Sequence, residues 1–117
     1  MSLNAAAINI MLDQLGTAID YFGLHTDTVG SGSGNEVTGG SPAYARKAAT
    51  WASASGSSMS DTGADPVFDI PASTTVRRLG FWSAVSAGTF YGDAELTDEV
   101  YGGQGTYTLT SATISGS

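Results

Sequence analysis

The stretch Thr75–Val85, TVRRLGFWSAV, is the one whose reading decides the fold. At the two-residue period of a strand, Val76, Arg78, Gly80, Trp82 and Ala84 face one way. Arg77, Leu79, Phe81, Ser83 and Val85 face the other. The adjacent pair Phe81-Trp82 therefore splits across the two faces, and at least one of these rings belongs to a core. The next apolar run, GTFYGDA at Gly88–Ala94, pairs with this strand as a hairpin across Ser86-Ala87.

Working outward, Val67–Ile70 reads as a strand stopped by Pro71, with PAST supplying the turn. Tyr21–Thr26 is a short strand that leads into a glycine- and serine-rich loop over 27–41. Ala43–Trp51 is a further strand candidate, with Tyr44, Arg46, Ala48 and Thr50 on one face and Ala45, Lys47, Ala49 and Trp51 on the other. Gly39-Gly40 and Pro42 before it serve as a register-setting turn. ASASGSSMSDTGAD is a polar connection that holds a weak edge strand. Residues 95–105 read as an exposed acidic loop, and Thr106–Ile114 as the closing strand. Six or seven short strands after one helix predict a mainly β chain: a single antiparallel β-sandwich or partly closed barrel.

The helix lies at the start. Ile8, Leu12, Leu15, Ile19 and Phe22 recur at steps of three and four, with Met11 beside them, and Ala5, Ala6 and Ala7 add helix propensity. Ser2 or Asn4 caps it, and Gly16 weakens its interior. A helix this short is marginal alone, so its stripe must pack on something. We expect a helical arm over 1–22 and a β domain over 23–117. Ile8, Met11, Leu12, Leu15 and Ile19 are the expected assembly interface.

Composition narrows the function. Eleven acids against four bases give a net charge of −7, and the bases form only two adjacent pairs, Arg46-Lys47 and Arg77-Arg78. Nucleic acid and anionic membrane are not expected partners, because neither pair makes a basic patch. A mid-strand base in so acidic a chain suits a carboxylate on an adjacent subunit, set against the ordinary role of a hydrogen-bonded surface residue within one domain. With no cysteine, thiolate chemistry is excluded. No run approaches the roughly 18 apolar residues of a membrane span. The opening MSLNAAAINIMLDQLG, with an acid at Asp13, makes a poor signal peptide.

The candidate chemistries are thin. His25 with Asp27 behind it offers a general base, but no strained Gly-x-Ser-x-Gly turn marks a nucleophile. Asp61 and Asp65, or Asp93, Glu95, Asp98 and Glu99, offer hard oxygen ligands for calcium without the spacing of an EF-hand loop. Turn and capping roles account for most of these acids. GSGSGNE lacks the Gly-Lys-Ser/Thr ending of a phosphate loop and a following helix. We therefore expect no catalytic residue, no metal and no cofactor. Trp51, Trp82, Tyr91 and Tyr101 are candidates for contact with a host glycan, set against their ordinary role as sheet fillers.

The order of LHTDT with its glycine loop, NEVTGGSPAYARKAATW, FDIPASTTVRRLGFWSA, GTFYGDAELT and QGTYTLT resembles a family of small bacteriophage virion proteins. These are common in phages of actinobacteria and are described as tail-fibre-like, minor tail or decoration proteins. The resemblance spans about Leu24 to Leu109. It implies a non-enzymatic, oligomeric part of the virion, assembled in the host cytoplasm. The expected partners are further copies of itself, as a homotrimer, and other virion proteins, with the loops 27–41 and 95–105 facing solvent or host. Within the same resemblance, a capsid decoration protein on the head is the alternative to a tail fibre. A carbohydrate-binding module that touches the host surface is the competing class.

Overall fold

A computed structural model of the chain describes residues 3–116. One helix, α1 (Ala5–Ala18), precedes eight strands. These are β1 (Tyr21–His25), β2 (Lys47–Ala48), β3 (Ser58–Ser60), β4 (Val67–Ile70), β5 (Thr74–Trp82), β6 (Phe90–Tyr101), β7 (Gly105–Thr108) and β8 (Thr113–Ser115). A four-stranded sheet runs β2-β1-β5-β6, and two ribbons, β3-β8 and β4-β7, complete the fold. Every pairing is antiparallel, as expected, and the sheets stay open rather than closing into a barrel.

The core forms where the large sheet meets the β4-β7 ribbon. Phe22 and Leu24 of β1 and Leu79 and Phe81 of β5 pack with Phe68, Ile70, Leu109 and Ile19. Ile8 and Leu12 of α1 close over Met59 beside it. Asn4 caps the helix by accepting a hydrogen bond from the Ala7 N–H, and the Ile19 N–H returns to the Leu15 carbonyl at the other end. Gly16 sits where a Cβ would lie 3.0 Å from Met59 Sδ, so the glycine lets the helix approach β3. The start of β1 at Tyr21 puts the expected 22/23 boundary inside a strand.

Three expectations give way. Over 43–51 only Lys47–Ala48 is a strand, because the inward phase slips. Tyr44 and Arg46 are half-buried on one alternation, and Lys47, Ala49 and Trp51 on the other. The intervening alanines are too small to enforce either register. The acidic run 95–101 is not a loop but the second half of β6. Ala94, Leu96 and Tyr101 pack on the core while Glu95, Thr97 and Glu99 point to solvent from an edge strand, where charge is tolerated. The closing segment breaks into β7 and β8. Leu109 N–H bonds the Pro66 carbonyl, and Asp61 then takes the Ala112 N–H through its side chain. These contacts hand the chain from β4 to β3, and raise the strand count to eight.

Candidate functional site

The second face of the four-stranded sheet is polar, yet it is as deeply covered as the first. Register places Gly23 opposite Gly80 and His25 opposite Arg78. The two glycines supply space rather than a turn. A Cβ on Gly80 would run into the His25 ring, and one on Gly23 would lie 2.9 Å from the Trp82 indole nitrogen. Into that space fold His25, Trp82 and the segment 26–46.

His25 is fully buried. Its Nε2 lies 3.3 Å from Trp82 Nε1, and its Nδ1 lies 3.0 Å from the Gly34 carbonyl. An indole N–H only donates, so Nε2 accepts and the proton sits on Nδ1, bonded to Gly34. The ring lies parallel to Trp82 at a centroid distance of 6.0 Å. Burial above all, helped by the Arg78 charge, holds its pKa below the usual 6.5 against the pull of Gly34, Glu36 and Asp93. Asp27 does not back it; that carboxylate accepts from Thr28 N–H and Asn35 Nδ2. With both ring nitrogens spent, His25 holds a loop and has no lone pair free to take a proton from a substrate.

Arg78 is also fully buried. Its Nη1 donates to Asp93 Oδ2 and to the Gly32 carbonyl, each at 2.7 Å, and its Nη2 donates to the Gly34 carbonyl at 2.7 Å. Asp93 in turn accepts from Gly30 N–H at 2.9 Å. The loop that reads as flexible filler is thus held at residues 30, 32 and 34 from inside the sheet.

A second ion pair lies alongside. Glu36 grips Arg46 through two bonds of 2.8 Å, Nε to Oε2 and Nη2 to Oε1. Tyr44 donates its hydroxyl to Glu36 Oε2 and accepts from Leu24 N–H. Arg46 Nη1 reaches the Ala84 and Ala87 carbonyls, and its guanidinium lies 3.5 Å above the Trp82 ring. Burial alone would raise the Glu36 pKa. The Arg46 and Tyr44 hydrogen bonds and the Arg46 charge outweigh it, leaving the carboxyl below 4.5. Burial pushes the Tyr44 phenol well above its ordinary range, so it remains a donor.

Three of the four bases are therefore partnered within the chain. Arg46 and Arg78 are buried in their pairs, and Arg77 meets Asp98 at the surface. Nothing in the sequence flagged Glu36 or Asp93 as their partners. The available signal was the scarcity of charge: mid-strand arginines in a chain with four bases must find carboxylates.

Of the five residues expected to form an assembly interface, Ile8, Leu12 and Ile19 are buried by this same chain, and Leu15 packs against its core. Met11 is exposed, beside Ile10, the more exposed of the two at 71%. The four aromatic candidates do not form one platform. Trp82 is buried under Arg46, and Trp51 packs edge-on to Phe22. Tyr91 and Tyr101 sit near opposite ends of β6, roughly 30 Å apart at about 3.3 Å per residue. Among the described residues no three of His, Asp and Glu gather as a metal site, and no helix is long and apolar enough to cross a membrane.

Fold and site together define a structural β module that spends its buried charges on presenting an ordered surface loop. A family model described as podophage GP4 fiber I protein gp80 matches residues 4–113 of the 117, and the chain belongs to that family of phage fibre proteins. No curated protein and no solved structure matches it. The family is that of a structural virion component, which agrees with the phage resemblance and puts the fibre ahead of the other labels.

Proposed function

We propose that the protein is a non-enzymatic building block of a phage tail fibre, assembled in the host cytoplasm. It would join copies of itself, as a homotrimer, or a neighbouring virion protein through the outer face of α1, and present the loop 27–36 outward. The observation that carries this reading is the fibre-family match over nearly the whole chain, joined to the loop's fixation by Arg78 and His25. A fixed loop suits contact made by many copies, since its ordering entropy is already spent in folding.

The outer face of α1 supports the attachment. Leu3 and Ile10, seven residues apart, are exposed together with Met11, and Asp13 is the one charged residue of the helix. Removing residues 1–20 is a poor test, because Ile8, Leu12 and Ile19 would leave with them and open the core. Ile10→Glu with Met11→Glu leaves that packing intact. The double variant should melt within about 1 kcal/mol of the parent, as surface changes do. Its incorporation into particles should drop at least about tenfold, the effect of roughly 1.4 kcal/mol at an interface. Full incorporation, measured by mass spectrometry of purified particles, would contradict the assignment of this face.

A further inference from the structure

β6 is the outermost strand of the four-stranded sheet and its longest, at 12 residues. It pairs with β5 along one side, and among the described residues no backbone group of 93–101 bonds any other segment. Neighbouring bonds fix which groups are left over. Leu24 takes the Tyr44 hydroxyl on its N–H and the Val37 N–H on its carbonyl, so Gly23 and His25 are the residues of β1 that bond β5. Alternation then turns Gly80 and Arg78 to β1, and Leu79 to β6, where Ala94 meets it. The N–H and C=O of Glu95 therefore point away from the sheet, and Glu95 is exposed. We propose that this edge receives an extended, basic segment of a neighbouring virion protein as a fifth strand of the four-stranded sheet. The inference deepens the fibre reading: that reading supplies the neighbouring protein, and the edge supplies the chemistry of its segment.

Backbone and side chains make separate demands. The acids alone would only solvate the edge; it is the unpaired backbone that calls for a strand, whose main-chain bonds give affinity while its side chains give specificity. The side chains here call for bases. Glu95 and Glu99 are exposed and hold no ion pair among the described residues, while Asp98 holds Arg77. Beside them Val100, at 75%, is the most exposed large apolar residue of those described. Acids next to bare apolar surface suit a segment that alternates bases with apolar residues.

A second copy of this chain is the wrong occupant. Its own β6 would set acids against acids across the paired edges, which is destabilising. Nor can a copy bring the bases. Arg46 and Arg78 are buried in ion pairs and Arg77 is bonded to Asp98, which leaves only Lys47 without a carboxylate among the described residues. The occupant is therefore a different chain.

The test is an amide-resolved NMR titration of the intact chain with a short capped peptide that alternates Lys with Val and Thr. One control carries Glu in place of each Lys. The other is the Lys peptide methylated at every backbone nitrogen, which keeps the charge but cannot pair as a strand. One short strand buries less than a standard interface, so a Kd on the order of 0.1 mM is expected. The Lys peptide should saturate, shift the amides of 93–101 and slow hydrogen exchange of the Glu95 amide at least about tenfold. Glu95→Gln with Glu99→Gln, both changes at exposed positions, should weaken binding about tenfold. Neither control peptide should bind. Silence up to about 2 mM, roughly twenty times the expected Kd, would overturn the proposal. So would equal binding of either control, or undiminished binding by the double variant. Protection of the Glu95 amide that grows with the chain's own concentration, without peptide, would give the edge to a second copy and overturn it too. None of these outcomes bears on incorporation of the Ile10 and Met11 variants, so the two readings fail separately.

Discussion

Replacing Arg78 with Met should cost about 3–5 kcal/mol, the penalty for removing one partner of a buried ion pair. The substitution retains much of the side-chain volume, so the loss is not a cavity effect. It strands the Asp93 carboxylate, whose side chain is 8% exposed, leaves the Gly32 carbonyl without its donor and leaves the Gly34 carbonyl with only the His25 bond. For a domain of this size the loss is about a fifth or more of a total stability on the order of 5–15 kcal/mol. Urea denaturation should show it, and hydrogen exchange should show residues 27–36 opening first. Adding Asp93→Leu should restore only part, because the Gly32 carbonyl remains unpaired and the Gly30 N–H loses its acceptor. A loss below about 1 kcal/mol, the value of an exposed pair, would mean that the loop is not held from inside the sheet.

Acid should unfasten the same region in two stages. His25 has a folded pKa below its usual 6.5, so folding favours the neutral ring. The stability this brings is complete above pH 6.5 and is lost as pH falls through the folded value. Protonation at Nε2 would also set that proton against the Trp82 N–H, a donor facing a donor. Glu36, below 4.5 when folded, has the same sign: its contribution is complete above pH 4.5 and is lost as pH falls through its own folded value. Glu36→Gln should therefore lower stability at pH 7 by about 2–3 kcal/mol, the worth of charged hydrogen bonds to Arg46 and Tyr44. It should also flatten the lower limb of the curve while leaving the limb near pH 6 in place. An unchanged lower limb in that variant would assign acid sensitivity elsewhere.

The strands that were legible in sequence are those where β-branched and aromatic residues dominate. β1 with Phe22 and Leu24, β4 with Phe68 and Ile70, and β5 with Leu79, Phe81 and Trp82 fall where alternation puts them. Val76 does not: expected on the face of Arg78 and Trp82, it packs in the core with Leu79 and Phe81, across a register shift between Val76 and Arg78. β6 was half-hidden because Glu95, Asp98 and Glu99 read as loop chemistry, whereas an edge strand takes acids on its outer side. The segment 43–51 misled for the opposite reason. Its alanines alternate on paper, but with so little area to bury they leave the register to Arg46 and Trp51, which point inward on different phases.

The polar network was less legible than the fold. Arg77 and Arg78 are neighbours in sequence, yet one meets Asp98 at the surface and the other is fully buried. Which one is buried depends on the glycine pair Gly23-Gly80 lying across one sheet face. That juxtaposition exists only once β1 and β5 are in register. Similarly, the glycines of 27–34 carry no side chains by which to announce an anchor. Their contacts run through backbone carbonyls and one N–H, which a sequence does not display.

The central claim is that this chain is a fibre component whose anchored loop faces outward. Immunogold electron microscopy of purified particles tests it most directly, using an antibody raised against residues 27–36. Gold on the fibres of intact particles is the predicted result. Gold confined to the head, or fibres that carry the chain yet take no label, would contradict it.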